Sequence, residues 1–421
     1  MREMKDSGIE WIGAIPRAWE LNKIGAIYEE RNTKVSDLEY EPLSVTKQGI
    51  VPQLETAAKT DNGDNRKLIR KNDFVINSRS DRRGSCGISE YDGSCSLINT
   101  VLKPRGNTNN KYYSFVFKSD NFADEFYRWG HGIVNDLWST KWSDMKNIYI
   151  PSPTIDEQKR IADYLDKKCA NIDAIIEKQQ EIIEKLKEYK LSVITEAVTK
   201  GLNPDVEMKD SGVDYIGIIS HSYKVRKIKG ITNRINVGVV VRPSDYFDDN
   251  GEVPFLRGLN VKEYQLLEDN MVYISEEDNR KLSKSIVHMD DILIVRDGAI
   301  GTACLVPEKF DGSNVVSMII VGKDDRFDSR YLCYQLNSSI CKTQFEITKI
   351  GSALTHTSVS AVSDLNVVVP SVKKQIEIAD YLDFKVNQIN GLVDKKEKII
   401  LSLMNYKKSL IYEVVTGKRE V

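Results

Sequence analysis

Clustered Arg and Lys beside glycine turns, with Asn or Gln nearby, are the residue types that read nucleic acid. Arg forks onto guanine, Asn or Gln pairs with adenine, and Lys serves phosphates. Between Arg66 and Arg83 of this 421-residue chain, seven basic residues (Arg66, Lys67, Arg70, Lys71, Arg79, Arg82, Arg83) face only Asp73 and Asp81. The cluster runs into Arg82-Arg83-Gly84-Ser85-Cys86-Gly87. Glycines at that spacing let a backbone bend sharply and approach a ligand. Further candidates are Lys47 and Gln48 in Thr46-Lys-Gln-Gly49, Arg257 and Asn260 in Phe255-Leu-Arg-Gly-Leu-Asn-Val261, and Arg296 and His356. A charge run is also what a solvated face looks like, so the cluster alone decides nothing.

Catalytic constellations are missing. Pro204, Asp205, Glu207 and Lys209 carry the letters of a metal nuclease, but the carboxylates sit two residues apart in a linker, whereas such ligands normally come from two strands. There is no GxxxxGK[ST] loop, HExxH or GxSxG, and the glycine turns lack the full GxGxxG pattern. An Asn-Pro-Pro-aromatic motif of the amino-methyltransferase kind is also absent. His131, His221, His288 and His356 are scattered. Cys86, Cys95, Cys169, Cys304, Cys333 and Cys341 form no CxxC pair and read as reduced, buried thiols. No catalytic residue and no metal ligand is expected.

The elements that must position these residues are written twice. MKDSGIEWIG at Met4 returns as MKDSGVDYIG at Met208, and IADYLD at Ile161 returns at Ile378. Pro153 and Gln158 correspond to Pro370 and Gln375, and VITEAVT from Val193 to LIYEVVT from Leu410, all except the first pair at an offset of 217. A period of some 210 residues is too long for a solenoid and indicates duplication of a two-part module. Residues 1–152 and 203–370 have β-branched and aromatic runs cut by Gly, Asn and Asp. Residues 153–202 and 371–421 have helical periodicity and almost no glycine. These are the expected boundaries of two globular heads and two long helices.

In the first helix Leu165, Ile172, Gln179, Leu186 and Val193 recur every seven residues, with Ile175, Ile182 and Tyr189 between them. The second repeats the seam as Leu382, Ile389, Lys396, Leu403 and Leu410, with Leu392, Ile399 and Tyr406 between. Such a seam predicts a coiled coil, and its polar steps, Gln179 and Lys396, would set register. Parallel and antiparallel pairing would both align them; pseudo-twofold closure of a duplicated chain favours antiparallel. The heads align at landmarks: Asp73-Phe-Val-Ile-Asn-Ser78 with Asp291-Ile-Leu-Ile-Val-Arg296, and Gly130-His131-Gly132 with Gly351-Ser352-Ala353. One α+β fold with a twisted or barrel-like antiparallel sheet is expected in both.

The net charge of −2 divides as +1, −1, −5 and +3 over the four regions, so the second head is acidic overall. No apolar run approaches the length of a membrane span, and MREMKDSGIEWIG has no signal-like apolar stretch, so a cytoplasmic location is expected.

These features together resemble the specificity (S) subunit of type I restriction–modification enzymes: duplicated variable regions, each followed by Pro-x-x-x-x-Gln and Ile-Ala-x-Tyr-Leu-Asp on a long helix, the repeated Met-Lys-Asp-Ser-Gly opening, and Asp291-Ile-Leu-Ile-Val-Arg-Asp-Gly-Ala-Ile-Gly301. The resemblance implies that each head is a target-recognition domain for one half of a split double-stranded DNA sequence. It implies helices that space the heads and dock methyltransferase subunits, two of them, with a restriction/translocase subunit joining. S-adenosylmethionine, ATP and Mg²⁺ would belong to those partners, and this chain would hold no cofactor. Where the first head reads Ser78-Arg79-Ser80-Asp81-Arg82-Arg83-Gly84, the second reads Arg296-Asp297-Gly298. Which Arg of the first head matches Arg296 stays open. A seam of roughly 35–40 residues is about 55 Å of helix, or roughly 16 bp. A self-contained nuclease with duplicated heads and a coiled-coil interaction scaffold are the alternatives.

Overall fold

The computed structural model describes residues 2–55, 63–132, 138–350 and 356–421; the Gly351-Ser352-Ala353 landmark lies outside them. The strongest periodicity becomes the longest elements, helices Ile155–Lys200 and Val372–Val415. Asp156 and Glu157 in the first turn of the former oppose its positive dipole end. Gly201 and Gly417, in the left-handed region at φ 84° and 73°, follow the two helix ends.

The chain divides into two units that cut across the repeat. Residues 1–180 join 397–421, and residues 181–396 form the other unit. Each unit therefore holds one head, the beginning of one long helix and the end of the other.

In the first unit a four-stranded antiparallel sheet runs in the order Cys86–Ile88, Phe74–Asn77, Asn99–Pro104, Tyr28–Glu30. Beside it lie a three-stranded sheet (Gly93–Cys95, Arg66–Ile69, Lys34–Val35) and the hairpin Leu43–Thr46/Gly49–Pro52. Tyr28, Phe74, Tyr113 and Phe117 from the sheet and helix Asn110–Lys118 pack in one core with Leu165, Ile172, Leu410 and Val414 from the long helices. In the second unit Ala303–Leu305, Ile292–Val295, Met318–Val321 and Ile235–Val237 repeat the four-stranded order, with the central strand again antiparallel to both neighbours. Its three-stranded sheet includes one parallel pair, Val253–Leu256 with Asn314–Val315. Among the described residues no sheet closes on itself; of the twisted and barrel-like forms expected, the open one is found.

Within each unit the start of one long helix packs on the end of the other, so the pairing is antiparallel. Leu165 and Ile172 share a core with Leu410 and Val414, and Lys407 Nζ meets Asp173 at 2.6 Å. In the other unit Ile194 and Val198 share a core with Ile378 and Leu382, and Lys190 Nζ donates to Asn390 Oδ1 at 3.3 Å.

The seam differs from the expected one by a single residue. Leu165, Ile172, Leu382, Ile389 and Leu410 are buried as predicted, but Ile175, Tyr189, Leu392, Ile399 and Tyr406 are exposed. The next residue along is the more covered one: Ile176, Val393 and Ile400 are half-buried beside exposed Ile175, Leu392 and Ile399, Lys190 and Lys407 are half-buried beside the exposed tyrosines, and Ile183 is buried beside half-buried Ile182. The same shift occurs in both helices. Gln179 and Lys396 are each half-buried, and Gln179 Oε1 is shut from solvent without a hydrogen-bond partner among the described residues.

The repeated Pro-x-x-x-x-Gln has a plain physical role. Gln158 Nε2 donates to the Pro153 carbonyl at 2.9 Å, and its Oε1 accepts from the Asn109 backbone N–H at 3.1 Å. Gln375 does the same with Pro370 at 3.0 Å and Asp328 at 2.8 Å. Asn109 and Asp328 are themselves the N-caps of helices Asn110–Lys118 and Ser329–Leu336. One buried amide thus ties each long helix to a helix of its head. Tyr112 and Tyr331 add a second tie, their hydroxyls donating to the carbonyls of Val415 (2.9 Å) and Val198 (3.1 Å).

Candidate nucleic-acid interface

The central strand of each head starts at a buried aspartate. Asp73 accepts from the Arg31 guanidinium (2.6 and 3.0 Å) and the Arg70 backbone N–H (2.8 Å). Asp291 accepts from Arg234 (2.9 Å) and the His288 backbone N–H (2.8 Å). From these matched anchors the strands run four residues to their polar ends, and the match carries through. Ser78 O accepts from Thr140 N at 3.0 Å, and Arg296 O accepts from Thr357 N at 3.1 Å. Arg79 bridges Ser139, and Asp297 bridges His356, both antiparallel.

The backbone therefore equates Ser78 with Arg296, Arg79 with Asp297, and Ser139 with His356. No arginine of the first head occupies the place of Arg296. The first-head turn is one residue longer between the strands and carries three arginines, Arg79, Arg82 and Arg83, among which letters alone could not choose.

In the second head the candidates converge. A Cβ built on Gly258 would lie 3.6 Å from Val295 Cγ1, so the Arg257-Gly258 loop sits at the end of the strand that carries Arg296. Arg296 is half-buried, with Nε donating to Thr357 O at 3.2 Å. Arg257 is half-buried, donates through Nη2 to Asn270 O, and keeps Nε out of solvent without a hydrogen-bond partner among the described residues. His356 is half-buried beside Asp297. Asn260 departs from expectation: it is fully buried, its Oδ1 accepts from Arg257 N at 3.0 Å, and its Nδ2 donates to Asp269 O at 2.9 Å. With its amide consumed inside the loop, it shapes the Arg257 turn and presents nothing to a base.

In the first head Lys47 and Gln48 are exposed at the tip of the Leu43–Thr46/Gly49–Pro52 hairpin. That hairpin lies so close to the strand leaving the basic turn that a Cβ on Gly87 would come within 3.0 Å of Gly49 Cα. Arg79 is half-buried, and Arg82 and Arg83 are exposed. Arg82 lies 3.5 Å from Asp81, while Arg83 is paired with Asp124. The basic run is less available than its sequence suggests. Arg66 is buried against Ser94, Lys67 is buried on Glu30 and the Asn99 carbonyl, and Arg70 is held by Asp92. Alternation along a strand turned Arg66 and Lys67 to two covered faces, and their long side chains found internal partners.

Other readings are simpler. Asp205 and Glu207 of the nuclease-like letters are exposed, and no metal-holding group of His, Cys, Asp and Glu is found among the described residues. All six cysteines are buried and free. Burial pushes the thiols of Cys86, Cys95, Cys304 and Cys341 up to about 12.

A fold used twice with different polar residues at matched strand ends describes a pair of recognition modules on one helical frame. The chain matches the type I restriction modification DNA specificity domain twice, over residues 16–190 and 221–401, and it belongs to that family. It is 24% identical over 436 residues to a Methanocaldococcus jannaschii protein assigned as the type I restriction enzyme MjaX specificity subunit, with 97% of this chain and 96% of that one covered. It is also 24% identical over 261 residues to the type I restriction enzyme EcoBI specificity subunit of Escherichia coli, covering 60% of this chain and 54% of that subunit. The fold is similar to a solved chain described under complex assembly and conformational transition of the type I R-M system, with a TM-score of 0.73, 13% identity, and 96% and 99% of the two chains covered. It is also similar to the HsdS subunit from Thermoanaerobacter tengcongensis, with a TM-score of 0.51, 13% identity, and 96% and 98% covered.

Proposed function

We propose that this chain is the DNA-recognition subunit of a type I restriction–modification complex, each head reading one half of a bipartite, asymmetric target. One observation carries the reading. The same backbone positions present Ser78, Arg79 and Ser139 in one head and Arg296, Asp297 and His356 in the other. A shared frame keeps the two docking geometries alike, while the changed side chains make the two sequences read differ. Lys47, Gln48, Arg79, Arg82 and Arg83 belong to the first reading edge, and Arg257, Arg296 and His356 to the second.

Methyltransferase subunits would dock on the long helices. Ile175, Ile399, Met404 and Tyr406 in the first unit, and Tyr189, Phe384 and Leu392 in the second, are large apolar side chains left in water outside the seam. Exposed apolar residues repeated along a helix are the ordinary substrate of a protein interface. A restriction/translocase subunit would join that assembly, and S-adenosylmethionine, ATP and Mg²⁺ would be bound by the partners. No helix among the described residues is long and apolar enough to cross a membrane.

Methylation-protection mapping with the chain and its methyltransferase partner tests the reading. Two short protected blocks separated by an unread gap are expected, and a single contiguous block would overturn it. A salt-dependent gel shift of the same complex separates this function from a scaffold that binds protein alone.

A further inference from the structure

The matched strand ends allow an inference about bases, which rests on the DNA-recognition reading above. Arg79 and Asp297 occupy one backbone position in the two heads and carry opposite charges. Asp297 is exposed, with Arg296 before it, His356 bridged to it, and the Arg257 loop at the same strand end. A carboxylate there repels phosphates and so weakens any purely electrostatic contact with DNA. It forms no ion pair among the described residues. Instead Ser317 donates its hydroxyl to Asp297 Oδ2 at 3.0 Å, from a left-handed backbone at φ 47° that a serine rarely adopts. The fold thus aims this carboxylate and leaves its other oxygen free of hydrogen bonds from the described residues.

A carboxylate only accepts hydrogen bonds at neutral pH. In the major groove, cytosine offers an N4 amino donor and no acceptor beside it, whereas adenine sets its N7 lone pair next to its amino group, and guanine and thymine present acceptors. We propose that Asp297 selects a cytosine in the half-site read by the second head, at the place where Arg79 of the first head selects a guanine. The duplicated frame would then present complementary chemistry at one position: a donor fork in one head, an acceptor in the other.

The test is methylome sequencing of cells that co-express the full chain with its methyltransferase subunit, for wild type and for Asp297→Asn, Asp297→Ala, Arg79→Ala and Ser317→Ala. The wild-type motif is expected to hold a cytosine in one half-site and a guanine in the other. Asp297→Ala should relax that cytosine alone, lowering methylation of the original sites about tenfold. Asp297→Asn should admit adenine there, because an amide can both accept from N6 and donate to N7. Arg79→Ala should relax the guanine of the other half-site, and Ser317→Ala should keep the motif while blurring the cytosine preference. Asp297 is exposed, so its variants are expected to keep the wild-type melting transition. A wild-type second half-site without cytosine, an unchanged motif in Asp297→Asn, or a uniform loss at all positions by folded Asp297 variants would each overturn the assignment. A wild type that methylates no bipartite motif would instead overturn the DNA-recognition reading itself, and this inference with it.

Discussion

Replacing Gln375 by Leu keeps the approximate volume of the side chain and removes both hydrogen bonds of a fully enclosed amide. In the native chain that amide joins the Pro370 carbonyl (3.0 Å) to the Asp328 backbone N–H (2.8 Å), and the residue is only 1% exposed. Two net hydrogen bonds are worth about 1 kcal/mol each, and each buried group left without a partner costs about 1–3 kcal/mol. Because the orphaned groups lie at the entry of the long helix and at the N-cap of Ser329–Leu336, water can relieve part of that cost. The expected loss is about 3 kcal/mol in the unit containing residues 181–396. Urea unfolding followed by amide exchange resolved by mass spectrometry reads it: protection should fall in residues 328–336 and 366–386 while the first unit is unchanged. Gln158→Leu should give the mirror result, in the first unit alone. Gln375→Glu adds a control, since a buried carboxylate facing a carbonyl is unfavourable when ionised and acceptable when protonated. That variant should regain stability as the pH is lowered towards 5. A Gln375→Leu chain within about 0.5 kcal/mol of wild type would refute the idea that this amide ties helix to head.

Three further outcomes follow from the same geometry. Asp291→Asn leaves the half-buried Arg234 beside a neutral amide and should destabilise the second head by about 3–5 kcal/mol in urea unfolding, the cost of an uncompensated charge. Arg82→Ala should weaken binding equally on all sequences and lower the salt slope by about 1, whereas Arg296→Ala should relax one position of one half-site; competition gel shifts at several salt concentrations separate the two. The buried thiols should resist iodoacetamide in the folded chain at pH 8 and react fully in urea. Since burial holds Cys86, Cys95, Cys304 and Cys341 at about 12 while an unfolded thiol ionises near 8.5, stability should fall as pH rises from about 9 towards 12. Thermal melts across that range measure it.

The duplication, the two helical stretches and the family resemblance were legible because each rests on order along the chain. The shared offset of 217 in Pro153/Pro370, Gln158/Gln375 and Ile161/Ile378 needs no coordinates, and helical periodicity is a property of neighbours three and four residues apart. The recurrence of Leu165 and Leu382 every seven residues named one row of the seam in the same way.

What the sequence left undecided turns on partners distant along the chain. Ile175 and Ile176, or Leu392 and Val393, are equally apolar neighbours, and only the partner helix chooses which of each pair it covers. Arg66 and Lys67 look like groove residues until the strands around them supply Ser94 and Glu30. Asn260 looks like an adenine reader until the loop closes on its amide. The place of Arg296 in the first head is the clearest instance. Counting from the aspartate set Ser78 opposite it while three nearby arginines offered the same side chain, and the backbone hydrogen bonds from Thr140 and Thr357 match the position of Arg296 to Ser78. Periodicity and repetition are written in one dimension. Which charges face outward is decided where strands and helices meet, because a buried polar group must find its partner there or remain exposed to water.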